Sequence, residues 1–230
     1  MAALLLVATN PAQGQAASSG SSSSSSSAQH ARKAAPSAEP RLDAGSVSNG
    51  VYRNPSFGFA YKIPAGWVLR TEEMNARQDE GVPTTKESRA GLDRTAGGGC
   101  PHTGSCVLLA AFSRPPEARG EDVNSSVLIA AESVAAYPGL TEAAQYFGPV
   151  GEVAKAQGLE MVEDPYEGEV GTKTVVRGDY RKDVGTRVMR QSTLVILARG
   201  YVVSFTFIGG TEDEVEELIE GLSFGAGTKK

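Results

Sequence analysis

The stretch from residue 173 to residue 208 constrains the fold most, because it reads as three consecutive β-strands. Residues 173–182, 186–198 and 201–208 are rich in β-branched and aromatic residues, and turn-forming residues separate them. Strands joined by turns this short pair with each other in antiparallel fashion. The sequence therefore predicts an antiparallel meander.

The second turn, Arg199-Gly200, predicts the register of the last two strands. If these two residues alone form the turn, Leu194 lies opposite Phe205 and Ile196 lies opposite Val203. That pairing produces one strongly apolar face. The reverse face carries further apolar and small uncharged residues, so we expect both faces of the sheet to be at least partly covered.

Basic side chains are concentrated on the first two of these strands. They include Arg177, Arg181, Arg187 and Arg190. A two-residue turn at Val184-Gly185 would place Arg190 opposite Asp179 as an ordinary cross-strand ion pair. The cluster is therefore either a solvated surface or a docking face for an acidic partner.

The folded domain opens with an aromatic segment. Residues 51–63 read as two short strands around the Asn54-Pro55 turn. Phe57, Phe59 and Tyr61 fall on one side of the second strand, because side chains alternate between its two faces. This row predicts a strand that faces the core.

The middle of the domain predicts two buried strands and a helix. Residues 107–112 and 126–131 are nearly continuous apolar runs, as in strands covered on both faces. Thr141 is a suitable N-cap for a helical segment that follows it, and Gly148-Pro149 should kink or split that segment.

A short amphipathic helix closes the domain. Thr211 followed by Glu214 forms a capping-box pattern at its start. Its apolar residues recur at helical spacing: Val215, Leu218, Ile219 and Leu222.

Three segments lack a core pattern. Residues 1–16 resemble a secretory signal peptide, with an apolar run followed by small residues, so we expect a secreted or periplasmic protein. Residues 17–48 are rich in Ser and Ala and predict a disordered tether, which leaves a single domain at residues 49–230. Residues 70–106 within it predict a long loop.

Cys100 and Cys106 lie in this loop and allow three interpretations. They could form a disulfide, remain free thiols, or bind a metal together with His102. An exported protein favours the disulfide. A structural zinc site requires four ligands and usually a closer cysteine spacing, so no metal or other cofactor is predicted.

The sequence does not predict an enzyme. His102 is the one histidine of the predicted domain, since His30 lies in the tether, and no Gly-x-Ser-x-Gly turn or glycine-rich phosphate loop is present. The formal net charge of −5 disfavours generic binding to nucleic acid. The opening apolar run is too short for a membrane span.

The chain resembles the PsbP-like superfamily at both ends of the domain. The resemblance rests on Phe57-Gly58-Phe59 followed by Ile63-Pro64-Ala65-Gly66-Trp67, and on Phe205-Thr206-Phe207 before the capped terminal helix. This superfamily includes the extrinsic photosystem II protein and Ran-binding Mog-type proteins, and the chain looks most similar to exported members of acidobacterial type. The resemblance implies an α+β fold, an α/β/α sandwich around a central antiparallel sheet. It transfers no functional residue.

These patterns favour a non-catalytic module that binds another macromolecule, a protein partner, at the cell envelope. Arg177, Arg181, Arg187 and Arg190 are the candidate interaction face. One alternative is a small-ligand or lipid-binding domain in which residues 70–105 form a lid. A second alternative is an enzyme that uses His102.

Overall fold

A computed structural model describes residues 42–80, 99–100, 104–118, 120 and 123–225. The predicted signal peptide, most of the tether and His102 lie outside these residues. The strands are β1 (Leu42–Asp43), β2 (Ser46–Ser48), β3 (Val51–Asn54), β4 (Phe59–Lys62), β5 (Val68–Leu69), β6 (Gly99–Cys100), β7 (Ser105–Phe112), β8 (Ser126–Ser133), β9 (Glu160–Met161), β10 (Tyr166–Val170), β11 (Lys173–Val184), β12 (Arg187–Ala198), β13 (Tyr201–Gly209) and β14 (Leu222–Phe224). The helices are α1 (Thr71–Glu80), α2 (Phe147–Ala156) and α3 (Glu212–Glu220), with 3-10 turns at Val134–Ala136 and Ala143–Tyr146.

The main sheet has eight strands in the order β10-β11-β12-β13-β8-β7-β5, with β9 paired to the side of β11. The predicted meander is confirmed, because β11, β12 and β13 are consecutive antiparallel neighbours. Leu194 lies opposite Phe205 as predicted. The turn residues Arg199 and Gly200 have φ values of 53° and 80°, the positive values that a tight hairpin of this type requires.

The register predicted for the first hairpin is wrong. Val184 is still in the strand and pairs with Arg187, so the turn consists of Gly185 and Thr186. Gly185 has a φ of 63°, a left-handed conformation that glycine adopts without the steric penalty of a Cβ atom. A turn with glycine at its first central position therefore leaves the β-branched Val184 in the ladder, where it is favoured.

This correction changes the partner of Arg190. Asp179 lies opposite Ser192, and Arg190 lies opposite Arg181. The predicted Asp179–Arg190 ion pair is absent, and two arginines face each other instead.

A second sheet has four strands in the order β14-β4-β3-β2 and packs its aromatic residues onto the main sheet. The rings of Phe59 and Phe205 meet edge to face with centroids 4.9 Å apart. The centroids of Tyr61 and Phe207 are 6.0 Å apart. The predicted row of Phe57, Phe59 and Tyr61 is buried in this core.

Helices cover the main sheet on both faces. Gly178 of β11 lies against the ring of Phe147 in α2. The preceding residue of the strand, Arg177, contacts Glu216 in α3. Because consecutive strand residues point to opposite faces, α2 and α3 lie on opposite sides of the sheet. The predicted α+β class is confirmed.

The long loop predicted at residues 70–106 contains a helix at its start. Helix α1 is mostly polar, and Met74 is its buried apolar residue. It is attached to β7 by polar side chains: Thr71 Oγ1 accepts from the Ala110 N–H at 2.9 Å, and the Asn75 amide bonds both backbone groups of Val107 at 2.9 Å. Hydrophobic periodicity cannot reveal a helix that is attached in this way.

The ordered domain also begins before residue 49. Strand β2 pairs with β3, inside the segment predicted as tether. The Tyr52 hydroxyl donates to the Ala44 carbonyl at 2.6 Å, and the Asn54 amide donates to the Asp43 carbonyl at 3.3 Å. These buried side chains attach a polar segment that could not form a core of its own.

Two helix ends differ from the predictions. Glu142, not Thr141, is the N-cap of the helical segment, which is split between a 3-10 turn and α2. Helix α3 begins after Thr211 as predicted, but it ends at Glu220, and Leu222 belongs to β14. Leu222 is buried, as its helical spacing predicted, although it is not in the helix. The strand that follows the helix carries it into the same core.

Candidate interaction face

The four arginines of the predicted face differ in burial and in the partners of their side chains. Arg177 is the most enclosed, with 18% of its side chain exposed. Its Nε donates to Asp179 Oδ1 at 3.0 Å, and its Nη2 donates to Glu216 Oε1 at 2.5 Å and to Ser192 Oγ at 3.1 Å. These contacts tie α3 to the main sheet.

The electrostatics of Arg177 agree with a structural role. Burial lowers the pKa of its guanidinium, but the hydrogen bonds to Glu216 and Asp179 outweigh burial and raise the pKa above its ordinary value. Asp179 also accepts from the Tyr166 hydroxyl at 3.0 Å. Arg177, Asp179 and Glu216 are thus engaged with one another inside the domain.

Arg181 and Arg190 form a like-charge pair across β11 and β12. Arg181 is exposed over 60% of its side chain and forms a salt bridge with Glu160 at 3.2 Å. Arg190 is half-buried, and its side chain makes no hydrogen bond or ion pair with any residue that the structure describes. Arg187 is exposed at the start of β12. Arg187 is three residues before Arg190 on β12, so its side chain points to the other side of the sheet. We call Arg181 and Arg190, which lie opposite each other, the arginine face.

An open groove of about 480 Å³ adjoins the arginine face, beside the start of α3. The residues that line it come from β12, from the start of α3 and from the segment before β8. They are Val123, Ser125, Arg187, Val188, Arg190, Gly210, Thr211 and Glu214.

Among the described residues that line the groove, Glu214 carries the one carboxylate, and groups of the domain itself engage it. Its Oε2 accepts from the Gly210 N–H at 2.8 Å, and its Oε1 accepts from the Ser125 hydroxyl. Its own N–H donates to Thr211 Oγ1 at 3.1 Å, as the predicted cap requires. Glu214 therefore closes the start of α3 and is not an ion-pair partner of Arg190.

Solved structures similar to this chain include three named proteins. Cyanobacterial PsbP from Synechocystis is 19% identical, with 76% of this chain and 91% of that chain covered and a TM-score of 0.41. The Ran-binding protein Mog1p from Saccharomyces cerevisiae is 12% identical, with 78% and 97% covered and a TM-score of 0.40. LpqN, involved in cell envelope biogenesis of Mycobacterium tuberculosis, is 13% identical, with 73% and 80% covered and a TM-score of 0.33.

Similarities of this extent transfer no activity, location or partner to this chain. These neighbours include one protein of each type named in the sequence analysis, PsbP and a Mog-type protein. No family model matches the chain, and a search of curated proteins also finds no match.

The cysteine prediction falls partly outside the described residues. Cys106 is buried near the start of β7 and is disulfide-bonded. The backbone of Cys100 pairs with Leu42, but its side chain is outside the described part of the chain. The Cys100–Cys106 disulfide therefore stays a prediction, which peptide mapping without reductant would test. His102 and most of the predicted lid lie outside the described residues as well.

One buried polar cluster was not predicted from the sequence. Glu132 is 8% exposed and accepts a hydrogen bond from the Tyr146 hydroxyl at 2.6 Å and another from the Tyr137 hydroxyl. Burial, with the nearby Glu132 carboxylate, raises the pKa of both phenols, so they remain protonated donors at physiological pH. The cluster joins β8 to the 3-10 turn before α2, which is a structural role.

Within the described residues, no group of three or more potential ligands is placed to hold a metal ion. In the same part of the chain, no helix combines the length and hydropathy of a membrane span.

Proposed function

We propose that the protein is an exported, non-catalytic module that binds an acidic protein partner at the cell envelope through the arginine face. The observation that carries this proposal is the opposition of Arg181 and Arg190 on neighbouring strands. Arg177 is left out because its charge is used inside the domain. Arg187 is left out because it lies on the other side of the sheet from Arg190.

Like charges directly opposite each other destabilise an antiparallel pair of strands. Glu160 compensates Arg181, whereas Arg190 has no such partner among the described residues. Local rules of sheet stability are most often broken where function requires it. An acidic group brought in by a partner would relieve the repulsion, so binding and local stabilisation would be coupled.

The overall charge favours a protein partner over a polyanion. With a formal net charge of −5, the chain repels extended phosphate backbones at long range. The arginine face is a small basic area on an acidic molecule. A protein that offers a few acidic side chains of matching shape suits it better than a nucleic acid.

Capture of a partner by the immobilised full-length chain would test the proposal. The bait would be incubated with envelope extract of the native host as wild type, as Arg190→Glu and as the control Arg53→Glu. Arg53 is an exposed arginine on β3, in the other sheet. We expect one protein to be captured by the wild type and by the control and to be lost with Arg190→Glu.

Circular dichroism would verify that both variants are folded. If every captured protein binds all three baits equally, or if none depends on Arg190, the arginine face is not the contact surface.

A further inference from the structure

We infer that the groove beside the arginine face binds an extended acidic peptide segment, with a carboxylate against Arg190 and a neighbouring apolar side chain against Val123 and Val188. This inference rests on the proposed function, because it specifies which part of a protein partner is recognised. It adds the binding site on this protein, the sequence pattern of the bound segment and the preference for a carboxylate beside an apolar residue.

The size and shape of the groove suit a peptide. Its volume of about 480 Å³ falls within the range of roughly 300 to 1,000 Å³ that is common for ligand sites. It is open to solvent rather than enclosed. A segment of a longer chain can therefore enter it from the solvent side.

The charges of the groove select a carboxylate. Arg190 presents a guanidinium that no described residue neutralises. The carboxylate of Glu214 is occupied by Ser125 and Gly210, so it does not compete for that guanidinium. A guanidinium and a carboxylate form two parallel charge-assisted hydrogen bonds, which fix orientation as well as adding affinity.

The apolar lining distinguishes a peptide from a free anion. Val123 and Val188 are both partly buried and line the same groove as Arg190. Inorganic phosphate would use the cationic side chain and gain nothing from the two valines. An acidic residue next to an apolar residue uses both.

A titration of the full-length, ¹⁵N-labelled chain would test the inference with three probes. These are the blocked peptide acetyl-Leu-Glu-Leu-amide, its isostere acetyl-Leu-Gln-Leu-amide and inorganic phosphate. We expect the Glu peptide to shift the amide signals of Val123, Val188 and Gly210 in a saturable manner. The Gln peptide should bind at least about tenfold more weakly, because it lacks the charge-assisted hydrogen bonds.

Variants separate the two contacts. Arg190→Gln should reduce affinity for the Glu peptide by at least about tenfold, and Arg190→Lys should fall between it and the wild type because lysine keeps the charge but loses the planar fork. Val188→Thr keeps the shape of the side chain and should weaken the peptide while leaving phosphate unchanged. Arg53→Gln should change neither.

Equal affinity for the Glu and Gln peptides would overturn the inference, and so would signal shifts confined to other surfaces. A third contradicting result has two parts that occur together: phosphate binds as tightly as the Glu peptide, and Val188→Thr leaves the affinity for the peptide unchanged. Capture of a partner that depends on Arg190, together with a groove that binds no peptide, would refute the groove and leave the proposed function standing. Failure of both experiments would refute both.

Discussion

Replacement of Gly178 by alanine tests the packing of α2 on the main sheet. Gly178 lies within β11, and a Cβ added there would lie 2.5 Å from Cε1 and 2.8 Å from Cδ1 of Phe147. Non-bonded carbon atoms prefer separations of about 3.5 to 4.0 Å. The ring or the strand must therefore move by about 1 Å, and Phe147 is buried with 4% of its surface exposed.

The expected cost follows from two opposing effects. Overpacking of a well-packed core by extra atoms costs about 1 to 3 kcal/mol. Replacement of glycine by alanine in an extended strand stabilises by about 0.4 to 1 kcal/mol, mainly because the unfolded chain loses freedom. We expect Gly178→Ala to lower the free energy of unfolding by up to about 2.5 kcal/mol.

Gly168→Ala is the matched control. Gly168 lies in the neighbouring strand β10, and a Cβ there would meet no atom within 4 Å. This variant should be neutral or slightly stabilised. Urea denaturation followed by circular dichroism gives both values, and Phe147→Leu as a background should reduce the cost of Gly178→Ala because the smaller side chain leaves room. Equal stability of the two alanine variants would refute the packing described here.

Two further predictions concern polar groups of the sheet. Arg177→Met should lower the free energy of unfolding by about 2 to 3 kcal/mol, because Asp179 and Glu216 lose their shared cation. Urea denaturation measures this change, and a value below about 0.5 kcal/mol would refute the structural role of Arg177. Burial raises the pKa of both Tyr52 and Tyr180 to about 12, against about 10 in the unfolded chain. Their contribution to stability is therefore complete below pH 10 and is lost between about pH 10 and 12, where unfolding should accompany the appearance of tyrosinate absorbance. Tyrosinate that forms without any change in far-ultraviolet circular dichroism would contradict this assignment.

The sequence could predict those parts of the fold that depend on local patterns. At the second hairpin, only one residue pair, Arg199-Gly200, was considered as the turn. The pairing of Leu194 with Phe205 was therefore predicted correctly. At the first hairpin, two overlapping residue pairs that both contain Gly185 were possible turns. Strand alternation did not distinguish them, since both choices leave the same residues on each face. The partner of Arg190 was wrong for that reason.

Contacts between distant segments account for the other differences. The Asn75 amide holds α1 to Val107, and a pattern of apolar residues carries no information about such a bond. The burial of Arg177 depends on Glu216, which only the packing of α3 on β11 brings close. Composition could therefore identify the basic cluster, but it could not separate the structural arginine from those on the surface.

The groove is also a product of tertiary structure. Val123 precedes β8, whereas Val188 and Arg190 belong to β12. No spacing in the sequence connects these residues. The sequence could therefore predict the two basic strands of the candidate site but not its apolar wall, which only tertiary packing brings together.

Site-specific photo-crosslinking in living cells of the native host tests the central proposal most directly. A photoreactive phenylalanine analogue would replace Val188, which lines the groove, or Val47, an exposed residue of β2 in the small sheet. We predict that the probe at position 188 forms a covalent adduct with one protein, that Arg190→Glu abolishes this adduct, and that the probe at position 47 does not form it. An adduct that forms equally from both positions, or that persists in the Arg190→Glu variant, would contradict a partner bound at the arginine face.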